Sequence, residues 1–295
     1  MRRTFLIFIA LLMLFAACGR RGSSSSSTGG KSMQIKGSDT IVNLVQSWAE
    51  EFSTVNPDMN IGVTGGGSGT GIAALLNNTC DICMSSRGME DKELAQAKKS
   101  NIVPNEIMVG LDGLAVVVHP SNTADKLTID ELRDIFMANK RNWKDFGGPD
   151  SEIVILSRES NSGTHVFFKE HVLKRGKSKG PEEFAPESLL MPSSQAIVDE
   201  LRQNPNAIGY VGMGYISPAL KVVSVAIDKK TKYIAPTVEN VMSGKYPISR
   251  PLFLYTNGMP KGDAKLFVDF ALSPRGQVIV KETDFVPIGT MGKMK

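Results

Sequence analysis

Three short segments of the sequence combine glycine with serine or threonine immediately before a predicted helix. They are residues 36–40, 66–70 and 158–164. Glycine lets the backbone approach a ligand closely, and hydroxyl groups can donate hydrogen bonds to its oxygen atoms. The start of a helix also exposes unpaired N–H groups and the positive end of the helix dipole. Together these features predict a binding site for an anion.

Helix capping is the alternative explanation for the same residues, because Ser, Thr and Asp oxygens accept hydrogen bonds from the first N–H groups of a helix. Taken singly, each segment is better explained as a cap. The presence of three such segments favours an anion site. Two of the three also contain more glycine than a helix cap requires. In open α/β sheets such segments gather at the carboxyl ends of the strands, where ligands bind.

Other glycine-rich motifs do not fit the spacing. Dinucleotide binding requires G-x-G-x-x-G, and a nucleophile elbow requires G-x-S-x-G, but Thr70 stands where each needs its last glycine. A P-loop requires glycine where His171 stands. A hydrolase or phosphotransferase that uses Ser68 or Ser162 as nucleophile remains the alternative from another class. It would need a base beside the serine, for which His165 is the loose candidate.

The cysteines favour neither a redox centre nor a metal site. Cys80 and Cys83 are spaced C-x-x-C, but residues 81–84 read as a short buried strand. Positions i and i+3 of a strand point to opposite faces, roughly 10 Å apart, which is too far for a disulfide. No second pair of ligands completes a zinc site. We therefore expect small buried thiols, no metal and no cofactor.

The N-terminus predicts export. Residues 1–3 are positively charged, residues 4–17 are almost wholly apolar, and small residues then precede Cys18. This pattern is typical of a secretory signal peptide that ends at residue 17 and is too short to span a bilayer with ease. The small residues before Cys18 resemble a bacterial lipobox, although Phe15 stands where leucine is usual. We expect Cys18 to be lipidated; the alternative is a plain secretory peptide cleaved near Ala17.

The composition indicates an exported globular protein on a tether. Residues 18–32 are rich in serine and glycine and read as a flexible linker. Hydrophobic residues make up 41% of the chain and charged residues 22%, as in soluble globular proteins. The net charge is +4 without a block of like charges, and aromatic residues make up 7%. These values argue against nucleic-acid binding.

Predicted strands and helices alternate from residue 33 onward. The strands are predicted at 34–36, 60–63, 81–84, 114–118, 153–156, 207–211 and 252–255. The helices are predicted at 40–54, 71–77, 90–98, 128–137, 163–173, 195–202 and 261–272. The apolar run 114–118 is typical of a parallel sheet that is covered on both faces. The alternation predicts an α/β fold with mostly parallel sheets.

The ordered set of segments resembles the substrate-binding proteins of ABC phosphate importers. Residues 158–164, Arg-x-x-x-Ser-Gly-Thr, resemble the central motif of that family. The first three contact loops of the family are matched by residues 38–40, 67–69 and 85–87. Residues 207–211 resemble a stretch common in the family. The resemblance covers nearly the whole chain after the linker. It implies a set of phosphate-binding residues: Ser38, Asp39, Thr40, Ser68, Ser86, Arg87, Arg158, Ser162, Gly163 and Thr164.

One position departs from part of that family, in which an aspartate accepts the proton of phosphate near the position of Ser86. Phosphate carries a proton near neutral pH and can donate a hydrogen bond, whereas sulfate cannot. Asp39 is the nearest candidate acceptor, and helix capping is its alternative role. A receptor for another oxyanion, such as sulfate or molybdate, is therefore an alternative to a phosphate receptor.

The resemblance implies a two-lobed periplasmic-binding-protein fold of type II, each lobe a mostly parallel sheet flanked by helices. Residues 33–116 and 255–295 would form one lobe and residues 117–254 the other. The anion would bridge the lobes and favour their closure, with Arg87 and Arg158 as the charged contacts.

The resemblance also implies the setting of the protein. It would be a monomeric binding protein rather than an enzyme, held by its lipid outside the membrane, at the periplasmic or cell-surface face. Its partners would be inorganic phosphate and an ABC phosphate permease. A sensor that reports phosphate without transporting it is a further possibility.

Overall fold

The computed structural model describes residues 32–177 and 179–288. Its strands are β1 Ser32–Gly37, β2 Asn60–Thr64, β3 Ile82–Ser85, β4 Pro104–Val118, β5 Lys126–Thr128, β6 Val154–Arg158, β7 Leu189–Met191, β8 Ala207–Gly212, β9 Lys221–Ala226 and β10 Ser249–Asn257. Its α-helices are α1 Val42–Val55, α2 Ser68–Leu76, α3 Asp91–Lys99, α4 Ile129–Phe136, α5 Gly163–Phe168, α6 Ser194–Leu201, α7 Val238–Met242, α8 Gly262–Leu272 and α9 Pro274–Glu282.

The strands form a sheet in the order β2-β1-β3-β10-β4-β8-β6-β7, with β9 beside β4 and β5 beside β9. β1 pairs in parallel with β2 and β3, and β6 pairs in parallel with β7 and β8. β4 and β10 lie antiparallel to their neighbours. The fold is therefore α/β, with parallel strands on both sides of an antiparallel centre.

The prediction that residues 114–118 lie in a parallel sheet was wrong. This part of β4 pairs antiparallel with β8 and β9. All five residues are fully buried. Burial of both faces selects an apolar run, and it does so whichever way the neighbouring strands point.

β4 connects the two sides of the sheet. Residues 104–113 of β4 pair with β10, and residues 114–118 pair with β8. The predicted chain crossing near residue 116 therefore falls close to a change of pairing partner. The boundaries predicted for the two lobes stay a prediction.

The predicted helices are present, with three differences. The stretch 163–173 divides into α5 and a π-helical turn, Lys169–Leu173. Neither α7 nor α9 was predicted, although Ser273 and Pro274, at the start of α9, are typical of a helix start. Ser273 accepts a hydrogen bond from the N–H of Gly276 at 3.1 Å. The indole of Trp48 donates to the Gly276 carbonyl at 2.8 Å, which fixes α1 against α9.

An aromatic cluster supports the end of β6. The rings of Phe168 and Tyr210 stack with centroids 4.0 Å apart, and Phe136 packs edge-on against Phe168. The hydroxyls of Tyr210 and Ser157 lie within 2.7 Å of each other. Because Ser157 directly precedes Arg158, this packing holds the start of the third candidate segment in place.

Cys80 and Cys83 are free thiols in the structure. Cys83 lies in β3 and is fully buried, as predicted. Cys80 precedes the strand and is only partly buried. Burial raises the pKa of Cys80 to about 11 and raises that of Cys83 as well. Both thiols therefore stay protonated and unreactive near neutral pH.

Neither a membrane-spanning helix nor a metal centre is found in residues 32–177 and 179–288. Within these ranges no helix is both long and apolar enough to cross a bilayer. The same part of the chain brings together no group of His, Cys, Asp and Glu that could hold a metal ion.

Candidate anion-binding site

Three serine hydroxyls meet at the carboxyl ends of β1 and β3. Ser38 follows β1, Ser86 follows β3, and Ser68 is the first residue of α2. Ser38 Oγ donates to Ser86 Oγ at 3.0 Å, and Ser68 Oγ lies 3.3 Å from the same atom. The backbone N–H of Ser86 donates to Ser68 Oγ at 3.1 Å. All three side chains are buried, so few groups other than a ligand and one another can use these hydroxyls.

The segment before α5 closes over these serines from the other side of the sheet. A Cβ atom on Gly163 would lie 2.3 Å from Ser68 Oγ and 2.7 Å from Ser86 Oγ. Thr164 Oγ1 and Thr40 Oγ1 are 2.7 Å apart. Ser162 caps α5, because its hydroxyl accepts from the Thr164 N–H at 3.2 Å. The structure thus brings Ser38, Thr40, Ser68, Ser86, Gly163 and Thr164 into one group, called here the hydroxyl cluster.

The glycines at 66–69 serve backbone packing as much as ligand approach. Gly67 has a φ of +111°, and a Cβ there would lie 2.8 Å from the Asn161 carbonyl. The Gly69 N–H donates to that carbonyl at 2.9 Å, and Asn161 Nδ2 donates to the Gly66 carbonyl at 2.9 Å. The excess of glycine, which predicted an anion site, is therefore partly explained by two loops in close contact.

The Arg158 side chain is hydrogen-bonded to other groups of the protein. Its Nη1 donates to Asp39 Oδ2 at 3.0 Å and to Ser194 Oγ at 2.9 Å. Its Nε and Nη2 donate to the carbonyls of Met191 and Pro192. The guanidinium is buried, and its charge is matched by Asp39, which lies on a loop far away in the sequence.

Asp39 does not cap the helical turn in which it lies. Its Oδ2 accepts from the backbone N–H and the hydroxyl of Ser194, at 2.8 and 2.9 Å. Ser194 is the first residue of α6, so the carboxylate lies at the positive end of a helix on the other side of the site. Its predicted role as the acceptor of a phosphate proton stays a prediction.

Arg87 also has an internal partner. Its Nη1 and Nη2 donate to the two carboxylate oxygens of Glu93, at 2.7 and 2.8 Å. Glu93 lies in the first turn of α3 and completes the capping box of that helix. Arg87 Nε is buried without a hydrogen-bond partner among the described residues.

Arg250, which the sequence analysis did not select, touches the hydroxyl cluster. Its Nη2 donates to Thr164 Oγ1 at 3.0 Å and to Asp112 Oδ2 at 2.8 Å. Asp112 in turn accepts from the Met213 N–H at 2.9 Å. Both charged side chains are fully buried. The available signal was a lone charge within an apolar stretch: Asp112 in residues 107–118 and Arg250 in β10. Such charges are rarely buried unless they are paired.

A cleft with a volume of ≈ 630 Å³ opens beside the cluster. Arg87 and Arg250 line it, together with Phe167 and His171. The two rings stack with centroids 3.8 Å apart. Burial lowers the pKa of His171, so this histidine is neutral near neutral pH.

Ser68 and Ser162 are the candidate nucleophiles of the hydrolase alternative, and His165 is the candidate base. His165 Nδ1 lies 2.8 Å from the Arg158 carbonyl and 3.3 Å from Ser157 Oγ. Burial lowers the pKa of His165. Among the described residues, no histidine is hydrogen-bonded to Ser68 or Ser162, which is the contact that the hydrolase alternative requires.

Comparison with known proteins identifies the family. A model of the PBP superfamily domain matches residues 22–275. The chain is 32% identical over 269 residues to the phosphate-binding protein PstS of Pseudomonas aeruginosa, covering 85% of this chain and 81% of the relative. It is 33% identical over 296 residues to PstS of Bacillus subtilis, covering 97% and 93% of the two chains.

A solved structure shows the same architecture. It is that of a phosphate ABC transporter substrate-binding protein from Clostridium perfringens with bound phosphate. The TM-score is 0.78 at 31% identity, and the match covers 87% of this chain and 99% of the other. The predicted periplasmic-binding-protein fold is thereby confirmed. The chain belongs to the PBP superfamily and, within it, to the family of PstS phosphate-binding proteins.

Proposed function

We propose that this protein binds inorganic phosphate at the hydroxyl cluster and delivers it to an ABC phosphate importer. The observation that carries the proposal is the convergence of buried hydroxyls from both sides of the sheet on one point. The relatives named PstS are phosphate-binding proteins, and the Clostridium perfringens protein was solved with phosphate. These likenesses favour phosphate over sulfate or molybdate.

The proposed binding residues are those that the family resemblance implied: Ser38, Asp39, Thr40, Ser68, Ser86, Arg87, Arg158, Ser162, Gly163 and Thr164. Micromolar affinity requires about −8 kcal/mol. Hydrogen bonds to a charged group contribute roughly 1.5–3 kcal/mol each. A ring of buried donors can therefore reach this affinity after the costs of ordering and desolvation.

Closure of two lobes around the anion is part of the proposal. Residues 33–116 and 255–295 would form one lobe and residues 117–254 the other. Thr40 contacts Thr164, and Asp39 contacts Arg158, in each case between the two proposed lobes. Phosphate would add contacts to both lobes at once and so favour the closed state.

The setting of the protein is also proposed. Three N-terminal features account for a receptor that is exported and held at the membrane. They are the signal peptide of residues 1–17, the lipid on Cys18 and the linker of residues 18–32. These segments lie outside the described residues, apart from Ser32. We further propose that the protein acts as a monomer and catalyses no reaction.

Phosphate is expected to raise the melting temperature of the phosphate-free protein by several degrees. A ligand that binds only the folded state stabilises it by about 2.7 kcal/mol at a concentration about 100 times its Kd. The measurement is a thermal unfolding curve with phosphate, with sulfate, or with neither. Sulfate should have the smaller effect. No shift with phosphate would contradict the proposed function, and equal shifts would indicate a general oxyanion receptor.

Asp39→Asn is expected to bring the affinities for phosphate and sulfate closer together. The substitution keeps the shape of the side chain but removes the negative charge that disfavours sulfate and could accept the phosphate proton. Calorimetric titration of both anions measures the ratio. Asp150→Asn is the control, because Asp150 is exposed and pairs only with surface groups. An unchanged ratio would leave Asp39 with the sole role of holding Arg158 and Ser194.

A further inference from the structure

Arg250 is a charged side chain in the interior of the protein. It lies near the start of β10, and its side chain has no exposed surface. Asp112 Oδ2 accepts from its Nε at 3.0 Å and from its Nη2 at 2.8 Å. The ion pair with Asp112 thus occupies one edge of the guanidinium and orients the group.

One nitrogen of this guanidinium, Nη1, makes no hydrogen bond to the described part of the protein. The same atom is buried. Burying a charged donor without an acceptor is costly, so such atoms are rare and mark sites where an acceptor binds. Arg250 Cζ lies 5.5 Å from the centroid of the Phe167 ring, which helps to hold the guanidinium in one orientation.

Arg250 is also placed at the point where the two sides of the site meet. Its Nη2 donates to Thr164 Oγ1 at 3.0 Å and lies 3.5 Å from Thr40 Oγ1. These two hydroxyls are themselves 2.7 Å apart. A guanidinium that touches both of them can reach an anion held by the same hydroxyls.

The two arginines expected from the family resemblance have fewer donors to offer. Arg87 gives both of its Nη atoms to Glu93 and keeps only Nε without a partner. Arg158 uses all three of its nitrogens on Asp39, Ser194 and the backbone. Arg250 therefore has the least committed Nη atom of the three.

We propose that Arg250 is a phosphate-contacting residue, whose Nη1 donates to the bound anion while Asp112 balances its charge. The proposal rests on the proposed function, because it assumes that phosphate occupies the hydroxyl cluster. A guanidinium fixed by an ion pair presents its remaining N–H groups in one direction, whereas a lysine ammonium is a point charge on a flexible stem. The position of Arg250 thus supplies directed positive charge beside Thr40 and Thr164.

The test is calorimetric titration of phosphate into the wild-type protein, Arg250→Lys and the control Arg133→Lys. Arg133 is another partly buried arginine, bonded to the Leu173 carbonyl and Glu182. Loss of charge-assisted hydrogen bonds predicts that Arg250→Lys weakens binding by about 10- to 100-fold. The control should bind as the wild type does. Equal affinities in all three proteins would overturn the proposal, whereas failure of the wild type to bind would instead overturn the proposed function.

Thermal unfolding separates binding from structure. If Arg250 only supported the fold, Arg250→Lys would lower the melting temperature and leave the Kd of the folded protein unchanged. If the variant does not fold, a crystal structure of the wild type grown with phosphate decides. A phosphate oxygen within about 3.2 Å of Arg250 Nη1 is the expected result. Phosphate bound at the cluster but without a hydrogen bond to Nη1 would overturn the proposal.

Discussion

Replacing Gly163 with alanine is expected to weaken phosphate binding by more than about 100-fold while leaving the protein folded. The new Cβ would lie 2.3 Å from Ser68 Oγ and 2.7 Å from Ser86 Oγ, well inside the contact distance of these atoms. The clash lies between the two proposed lobes, so the protein can relieve it by staying open. An open protein cannot make all contacts with phosphate at once, and the affinity falls accordingly.

The measurement is calorimetric titration of phosphate, with circular dichroism to check the fold. Gly88→Ala is the matched control, because Gly88 lies beside the site but a Cβ there would meet no atom within 4 Å. The control should bind phosphate with unchanged affinity. Wild-type affinity in Gly163→Ala would show that the anion is not held between α5 and the serines.

Arg158→Ala is expected to abolish phosphate binding and to lower the free energy of unfolding by about 3–5 kcal/mol. The family resemblance implies the loss of binding. The structure adds the loss of stability, because Arg158 is buried and its removal leaves Asp39 without its cationic partner. Asp39 then keeps only its two hydrogen bonds from Ser194 at the start of α6.

Urea unfolding and phosphate titration measure the two effects separately. Arg133→Ala removes an arginine whose ion pair with Glu182 is partly exposed, and it should leave phosphate affinity unchanged. Micromolar phosphate binding by folded Arg158→Ala would refute the assignment of Arg158 to the site. A variant that loses binding without losing stability would show that the Asp39 contact contributes little to folding.

Local patterns explain why much of the site could be predicted. The helix starts at Gly163 and Ser194 follow from capping residues and apolar periodicity, both of which are read within one turn of chain. The start of α2 at Ser68 lies three residues before the predicted one, and no side chain caps it. Strands β6 and β7 run opposite to β1 and bring the starts of α5 and α6 from the other direction. The parallel strands β1, β2 and β3 bring the segments that carry Ser38, Ser68 and Ser86 to one edge of the sheet, as the prediction assumed. The hydroxyls of Ser38, Ser68 and Ser86 meet for that reason.

The partners of the charged residues could not be predicted in the same way. Arg158 meets Asp39, and Arg250 meets Asp112 and Thr164, only after the chain has folded. No local pattern records contacts between residues so far apart in the sequence. Strand direction at the centre of the sheet was missed for a related reason, since an apolar run reports burial and not the direction of its neighbour.

The central claim is that the buried hydroxyl cluster binds phosphate, and calorimetric titration of the phosphate-stripped wild-type protein tests it most directly. We predict one site per chain with micromolar or tighter affinity for phosphate and weaker binding of sulfate, measured at the same ionic strength. Absence of binding heat for phosphate at several temperatures would contradict the claim.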